Sequence, residues 1–247
     1  MKARSLALAA TAFLALAACG KKQDTPSATT DHVTAAAVPP PAGKSWTDVV
    51  SVTPEGGVRM GNPDAPVKIV EYASFTCPHC KKFEDEGGDA LPQKYVSTGK
   101  VSYEFRSFLI HGPDAPITLL MMCRGAEPFF ALTKQIYAGQ DAFMAPLIAM
   151  TPADNQALQG LPPQQQFQKL LDTMGLFPWF AARGLPRAQA EKCLADQKAQ
   201  DQLSATQDRA QTKDGVNQTP SFFLNGVLQS DVSTWPALDA KLTQMIG

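Results

Sequence analysis

The chain has 247 residues, 44% of them hydrophobic, with 22 Lys and Arg against 23 Asp and Glu for a formal charge of −1. That length buries a substantial core, and the near balance of charge excludes nucleic acid as a partner held by a basic surface. Five cysteines are present.

Met1-Lys2-Ala3-Arg4 sets two positive charges ahead of an apolar run from Ser5 to Ala18, and small residues lead into Cys19. These are the marks of an export signal over 1–18, and the run is too short to span a bilayer comfortably. The segment resembles a bacterial lipoprotein signal, in which the cysteine after Leu16-Ala17-Ala18 receives lipid and becomes the mature N-terminus. The resemblance implies that Cys19 is a lipid anchor and not a redox thiol. It also implies that the protein faces the periplasm and, because Gly20 and not Asp follows the cysteine, that it sits at the outer membrane. Each buried methylene of an acyl chain contributes about 0.8 kcal/mol, so two or more chains hold a protein there durably. Residues 19–45 are rich in Ala, Thr, Pro, Ser and Gln, lack apolar periodicity and contain Pro39-Pro40-Pro41. They read as a flexible tether with a mean reach of roughly 25 to 30 Å, in which His32 is a solvated bystander. Beyond Lys2 and Arg4 the charges stand at 20 against 23, a formal −3.

The folded part is expected over 46–247. Trp46 to Val52 and Val67 to Ala73 read as strands, the second opened by the turn Asn62-Pro63-Asp64-Ala65-Pro66. A helix follows through Phe83, Leu91 and Tyr95, weakened by Gly87-Gly88 and Pro92, and Lys100 to Leu109 is a third strand. Strand, helix and strand in that order make a parallel βαβ unit. Ala115 to Gly125, Pro128 to Gly139, Pro163 to Met174 and Arg187 to Lys213 are helix-forming between Pro and Gly breaks. Ser221 to Leu224, the Asn225-Gly226 hairpin pair, Val227-Leu228 and a helix from about Thr234 close the chain. The order describes an α/β domain of two halves, 46–112 and 214–247, with a helical insertion over 113–213.

Ser74-Phe75-Thr76-Cys77-Pro78-His79-Cys80 follows the second strand and opens its helix. Two cysteines at this spacing close a small disulfide, and the positive helix end stabilises a thiolate on the first. Cys77 is thus the expected nucleophile and Cys80 the more buried resolving thiol. His79 offers a donor or positive charge nearby, and Pro78 fixes the first turn without wasting an amide. In an exported chain with Cys19 set aside, four cysteines remain. Cys77 and Cys80 pair by proximity, leaving Cys123 and Cys193 either as a second bridge or as two buried free thiols. A bridge would enclose about 70 residues and stabilise the domain by about 4 kcal/mol in the loop-entropy model.

Phe75-Thr76-Cys77-Pro78-His79-Cys80, the helical block and Val216-Asn217-Gln218-Thr219-Pro220-Ser221-Phe222-Phe223-Leu224-Asn225-Gly226 together resemble a DsbA-like thiol:disulfide oxidoreductase of the thioredoxin superfamily, over Trp46 to Gly247. The resemblance implies a thioredoxin-like fold with a helical domain inserted between its halves. It implies that Pro220 is a cis-proline facing Cys77 and that Thr219 offers its backbone to a client strand. It also gives Glu71, on the strand leading to the motif, the place of a buried acid with a raised pKa that exchanges a proton with Cys80. Glu84 has the same possible role or is a solvated helix carboxylate.

The expected activity is oxidation of client dithiols by a Cys77–Cys80 disulfide. The clients would be unfolded or partly folded exported proteins, and a separate membrane redox protein would reset the monomeric enzyme. No flavin, quinone or other cofactor site is read from the sequence. Thr219, where the best-known DsbA oxidases carry Val, leaves a reductase or isomerase as the alternative. An alternative of another class is a carrier lipoprotein binding copper or zinc through Cys77, His79 and Cys80. Against it, structural zinc needs four ligands, and Lys81 stands where a covalent haem motif requires histidine. His111 follows a strand and reads as a loop residue.

Overall fold

Short β-branched and aromatic stretches pair into one sheet in the computed structural model, and the structure describes residues 37–246. The expected signal over 1–18, Cys19, His32 and the tether as far as residue 36 lie outside the described residues. The strands are β1 (Val50–Val52), β2 (Val58–Gly61), β3 (Val67–Ala73), β4 (Val101–Ser107), β5 (Ser221–Leu224) and β6 (Val227–Leu228), in the spatial order β1-β2-β4-β3-β5-β6. β3 is central because its sequence is apolar enough to be covered on both faces, with only Lys68 exposed. It runs parallel to β4, from Val67 opposite Val101 to Ala73 opposite Ser107, and antiparallel to β5. The Asn62 side chain launches it by accepting from the Asp64 amide (3.0 Å) and donating to the Gly99 carbonyl (3.0 Å).

The first expected strand is shorter than the sequence implies. Trp46–Asp48 form a 3-10 turn, because the Ser45 amide and hydroxyl both donate to the Asp48 carboxylate at 2.9 Å, and only Val50–Val52 pair. β2, antiparallel to β1 and β4, was not expected at all. The expected helix after Cys80 breaks at the glycine pair into α1 (Pro78–Gly87) and α2 (Ala90–Lys94) before the parallel return through β4.

Helices fill the chain between β4 and β5. They are α3 (Asp114–Cys123), α4 (Phe129–Ala138), α5 (Gln140–Ile148), α6 (Pro152–Gln159), α7 (Pro163–Thr173), α8 (Leu176–Ala181), α9 (Arg187–Leu194) and α10 (Gln197–Thr212). Arg187 to Lys213, expected as one helix, is two, because the Asp196 carboxylate caps a fresh start by accepting from the Lys198 and Ala199 amides (3.0 and 3.2 Å). After β6 the chain ends in α11 (Trp235–Ile246). No helix among the described residues is long and apolar enough to cross a membrane.

Packing divides the sheet in a way that positions one end of β3. On one face Val67, Ile69, Tyr103, Phe222 and Leu224 meet Phe83 of α1, Leu91 of α2 and Leu238 and Leu242 of α11. Toward the C-terminal end of β3, Ala73, Phe75 and Phe105 join Leu120, Phe129, Tyr137 and Leu171 of the helical block. The other face carries Tyr72 and Phe223 against Ala210 of α10 and Val216. The chain leaving β3 therefore enters the seam between the sheet and the helices. Cys123 at the end of α3 and Cys193 in α9 are joined as a disulfide, with Cα atoms 6.0 Å apart.

Candidate active site

β3 delivers Ser74, Phe75 and Thr76 into that seam, and three aromatic rings fix the turn. Phe75 stacks on Phe105 (centroids 5.3 Å apart) and meets Phe129 and Tyr137 at 6.5 and 5.7 Å. Cys77 then sits as the N-cap of α1, in extended conformation, with Pro78 as the first helical residue. Proline at that position gives up an amide that would have no helical partner. Cys77 is 4% exposed and Cys80, one turn inside, 1% exposed, while Pro78 and His79 are exposed. Both cysteines are thiols.

The two sulfurs sit in opposite electrostatic situations. Hydrogen bonding from the Cys80 thiol pulls Cys77 down to about 5; burial opposes this, while the Thr219 side chain and the Cys80 and His79 amides reinforce it. Burial pushes Cys80 well above the ordinary thiol value, reinforced by its bond to Cys77 and by the Glu71 charge. The Cys77 thiol donates to the Thr219 carbonyl at 3.4 Å, and the Thr219–Pro220 peptide is cis. A cleft of about 250 Å³ opens there, between His79, Lys82 and Phe83 on α1 and Gln218, Thr219 and Pro220 across from it.

Glu71 is 2% exposed, and the Tyr103 hydroxyl on the neighbouring strand donates to its Oε2. Burial pushes its carboxyl up to about 8; the Tyr103 bond opposes the rise and the Glu84 and Cys77 charges add to it. Glu84 is half-buried in α1, where burial pushes it to about 7 and Lys134 pulls it back. It lines a cavity of about 280 Å³ with Tyr103, Phe130 and Lys134, so Glu84 is a half-buried, cavity-lining carboxyl and not a freely solvated one. Among the described residues no group of three His, Cys, Asp or Glu is placed to hold a metal ion.

Three residues that sequence reasoning passed over grip the dithiol loop. Gln140, buried at the start of α5, donates through Nε2 to the Phe75 and Cys77 carbonyls (2.9 and 3.1 Å). Tyr137 donates to the Ser74 carbonyl at 3.0 Å. Asp114 accepts from Ser74 and Thr76, and His111, expected in a loop, is exposed there with Nδ1 2.8 Å from the Thr76 hydroxyl. Their spacing from Cys77 has no local pattern, and only the fold brings them to it.

The chain matches the family model described as thioredoxin over residues 53–244. A protein of Rickettsia bellii named a putative protein-disulfide oxidoreductase is 28% identical over 179 residues, 72% of this chain and 61% of that one. A probable disulfide bond formation protein D of Bacillus cereus is 28% identical over 172 residues, 68% of this chain and 70% of the relative. The chain thus spans less than two thirds of the length of the rickettsial relatives it matches. Among solved structures, a protein-disulfide isomerase from Novosphingobium aromaticivorans superposes with a TM-score of 0.72 at 29% identity, over 75% of this chain and 94% of that one. Alpha-DsbA1 of Wolbachia pipientis gives 0.59 at 20% identity, over 81% and 96%, a likeness of fold. The chain belongs to the thioredoxin family, with the helix-inserted fold of the DsbA-type structures.

Proposed function

We propose that the protein is a thiol:disulfide oxidoreductase that oxidises dithiols of exported proteins through a Cys77–Cys80 disulfide. The observation that carries this reading is the opposition between the two sulfurs: Cys77, low-pKa at the start of α1 and against Thr219, and Cys80, buried and high. A client thiolate attacks the Cys77 sulfur, breaking the Cys77–Cys80 bond and leaving a mixed disulfide while Cys80 takes a proton. A second client thiolate then attacks the client sulfur of that mixed disulfide and expels Cys77 as thiolate. The client leaves with a disulfide, and the enzyme holds both electrons as its dithiol. Cys77 leaves readily because its thiolate is stabilised, and the same stabilisation favours the reduced enzyme. In this scheme Glu71, a buried acid whose charge acts on Cys80, exchanges the Cys80 proton, and the Thr219–Pro220 segment receives the client as an extended strand. His79 and Pro78 complete the exposed first turn.

Cys19 is the lipid anchor of this proposal, the periplasm its compartment and the outer membrane its surface. Residues 113–213 form the insertion between the halves 46–112 and 214–247. A membrane redox protein resets the monomer. A second reading, isomerase or reductase, is favoured by two observations: Thr219 beside the proline, and the Novosphingobium relative named an isomerase.

The reduction potential of the pair separates the two. The lipid-free domain is equilibrated with glutathione buffers, and free thiols are trapped for mass analysis. Oxidase function predicts that Cys77 and Cys80 stay reduced in oxidising mixtures, near the potential of strong oxidants at about −120 mV. A pair that stays oxidised until the buffer approaches roughly −270 mV overturns the oxidase direction and leaves the reductase.

A further inference from the structure

Asp114 is 1% exposed, and five donor groups converge on its carboxylate. The Ser74 hydroxyl reaches both oxygens (2.8 and 2.9 Å), the Thr76 amide reaches Oδ1 (3.1 Å), and the Thr76 hydroxyl reaches Oδ2 (3.1 Å). From the other loop, the Ile110 and His111 amides reach Oδ2 at 2.9 and 3.0 Å. No cation forms an ion pair with Asp114 among the described residues. A buried carboxylate satisfied wholly by hydrogen bonds is stable only while every donor stays in place, so it ties its donors into one geometry. Two of the donor residues, Ser74 and Thr76, lead directly into Cys77, and the other two lie in the loop between β4 and α3. A second link crosses the same gap from Thr76 to His111.

We propose that Asp114 is a positioning residue of the redox site, which locks the Ser74–Thr76 loop to the loop ahead of α3 and so holds the Cys77 sulfur at the N-terminus of α1. The inference rests on Cys77 being the reactive thiol. Asp114 touches neither sulfur and acts through the backbone that precedes Cys77. Without its carboxylate the Thr76, Ile110 and His111 amides lose their shared acceptor. The loop then loosens, and Cys77 departs from the contacts that stabilise its thiolate.

The test compares the wild-type domain with Asp114→Ala, Ser74→Ala and Leu242→Ala. The last removes a core side chain of α11, in a packing cluster that contains neither cysteine, and serves as a control for general destabilisation. The readouts are thermal stability and the pH titration of Cys77 thiolate by ultraviolet absorbance. In Asp114→Ala the Cys77 pKa is expected to rise by roughly one unit or more. Its mixed-disulfide rate falls roughly ten- to a hundredfold, the scale of small misplacements of a reacting atom. Ser74→Ala, which removes one donor and keeps the fold, shifts the pKa the same way by less, and Leu242→Ala lowers stability with the pKa unmoved. A wild-type Cys77 titrating at the ordinary thiol value would sink both this inference and the oxidase reading. A low wild-type value unchanged in both Asp114→Ala and Ser74→Ala overturns the positioning role alone, and so does an equal shift in Leu242→Ala.

Discussion

At the scale of single residues the site is a set of proton affinities separated by environment. Cys77 and Cys80 are the same chemical group one helical turn apart, yet donors lower one and burial raises the other. Glu71 extends the pattern, since its carboxyl is raised by burial to about 8 from an ordinary value of 4.5. The sign of the consequence follows from linkage. A carboxyl that holds its proton more tightly when folded favours the fold below its unfolded value. That advantage is lost as pH rises from about 4.5 through about 8. Each unit of difference is worth about 1.4 kcal/mol, so above pH 8 the buried Glu71 charge costs the fold several kcal/mol. Glu71→Gln keeps an acceptor for the Tyr103 hydroxyl and removes the ionisation. It should match the wild type in denaturant midpoint near pH 4.5 and exceed it clearly near pH 9. The same variant should slow disulfide exchange about a hundredfold if Glu71 handles the Cys80 proton. A variant equally stable at both pH values relative to wild type would show that Glu71 ionises in the folded protein as readily as in the unfolded chain, and that burial does not raise its pKa.

At the scale of elements, what the sequence reveals depends on whether local chemistry or tertiary contact decides the structure. The Asn225-Gly226 pair was legible because a two-residue hairpin with both residues at positive φ admits few others. The structure has φ 49° and 82° there, with Asn225 also bonded to Lys68 through its amide and its side chain (2.9 and 2.8 Å). No heavy atom lies within 4 Å of a Cβ placed on Gly226, so Gly226→Ala meets only the backbone penalty. It is expected to destabilise by about 1 kcal/mol, read as a lower urea midpoint, with the Cys77 pKa unchanged. A larger loss would mean that β6 supports the core more than its exposed Val227 and Leu228 indicate. β3, α1 and the dithiol motif were legible for a similar reason, being a β-branched run and a proline-led helix start, and β4 by its alternation. β2 was not, because Val58-Arg59-Met60-Gly61 is short and bordered by Gly56-Gly57. α6 has no buried residue and so no apolar stripe, and α5 carries Pro146 inside it, which reads as a break. Asp114 and Gln140 were invisible as site residues because a polar side chain in sequence does not reveal which distant carbonyl or amide it will meet.

At the scale of the whole molecule, two bonds tie the helices between β4 and β5 to one another and to the loop before Cys77. α3 spans the two: Asp114 at its first turn grips the loop before Cys77, and Cys123 at its last is bonded to Cys193 in α9. The bridge spans 70 residues of sequence. Constraining that loop in the unfolded chain is worth about 4 kcal/mol in the entropy model, which for a domain of this size is a fall of roughly 10 °C in Tm when the bridge is removed. The double variant Cys123→Ala, Cys193→Ala is therefore expected to fold, to melt lower by that amount, and to leave the Cys77 thiolate pKa where it was. The two effects separate because the loop-entropy contribution acts on the unfolded chain, while the first turn of α3 is held independently by five donors and by Ile117 in the core. If the bridge's loss instead shifts the Cys77 pKa, then α3 transmits strain along its length, and the second disulfide would be a regulator of the first.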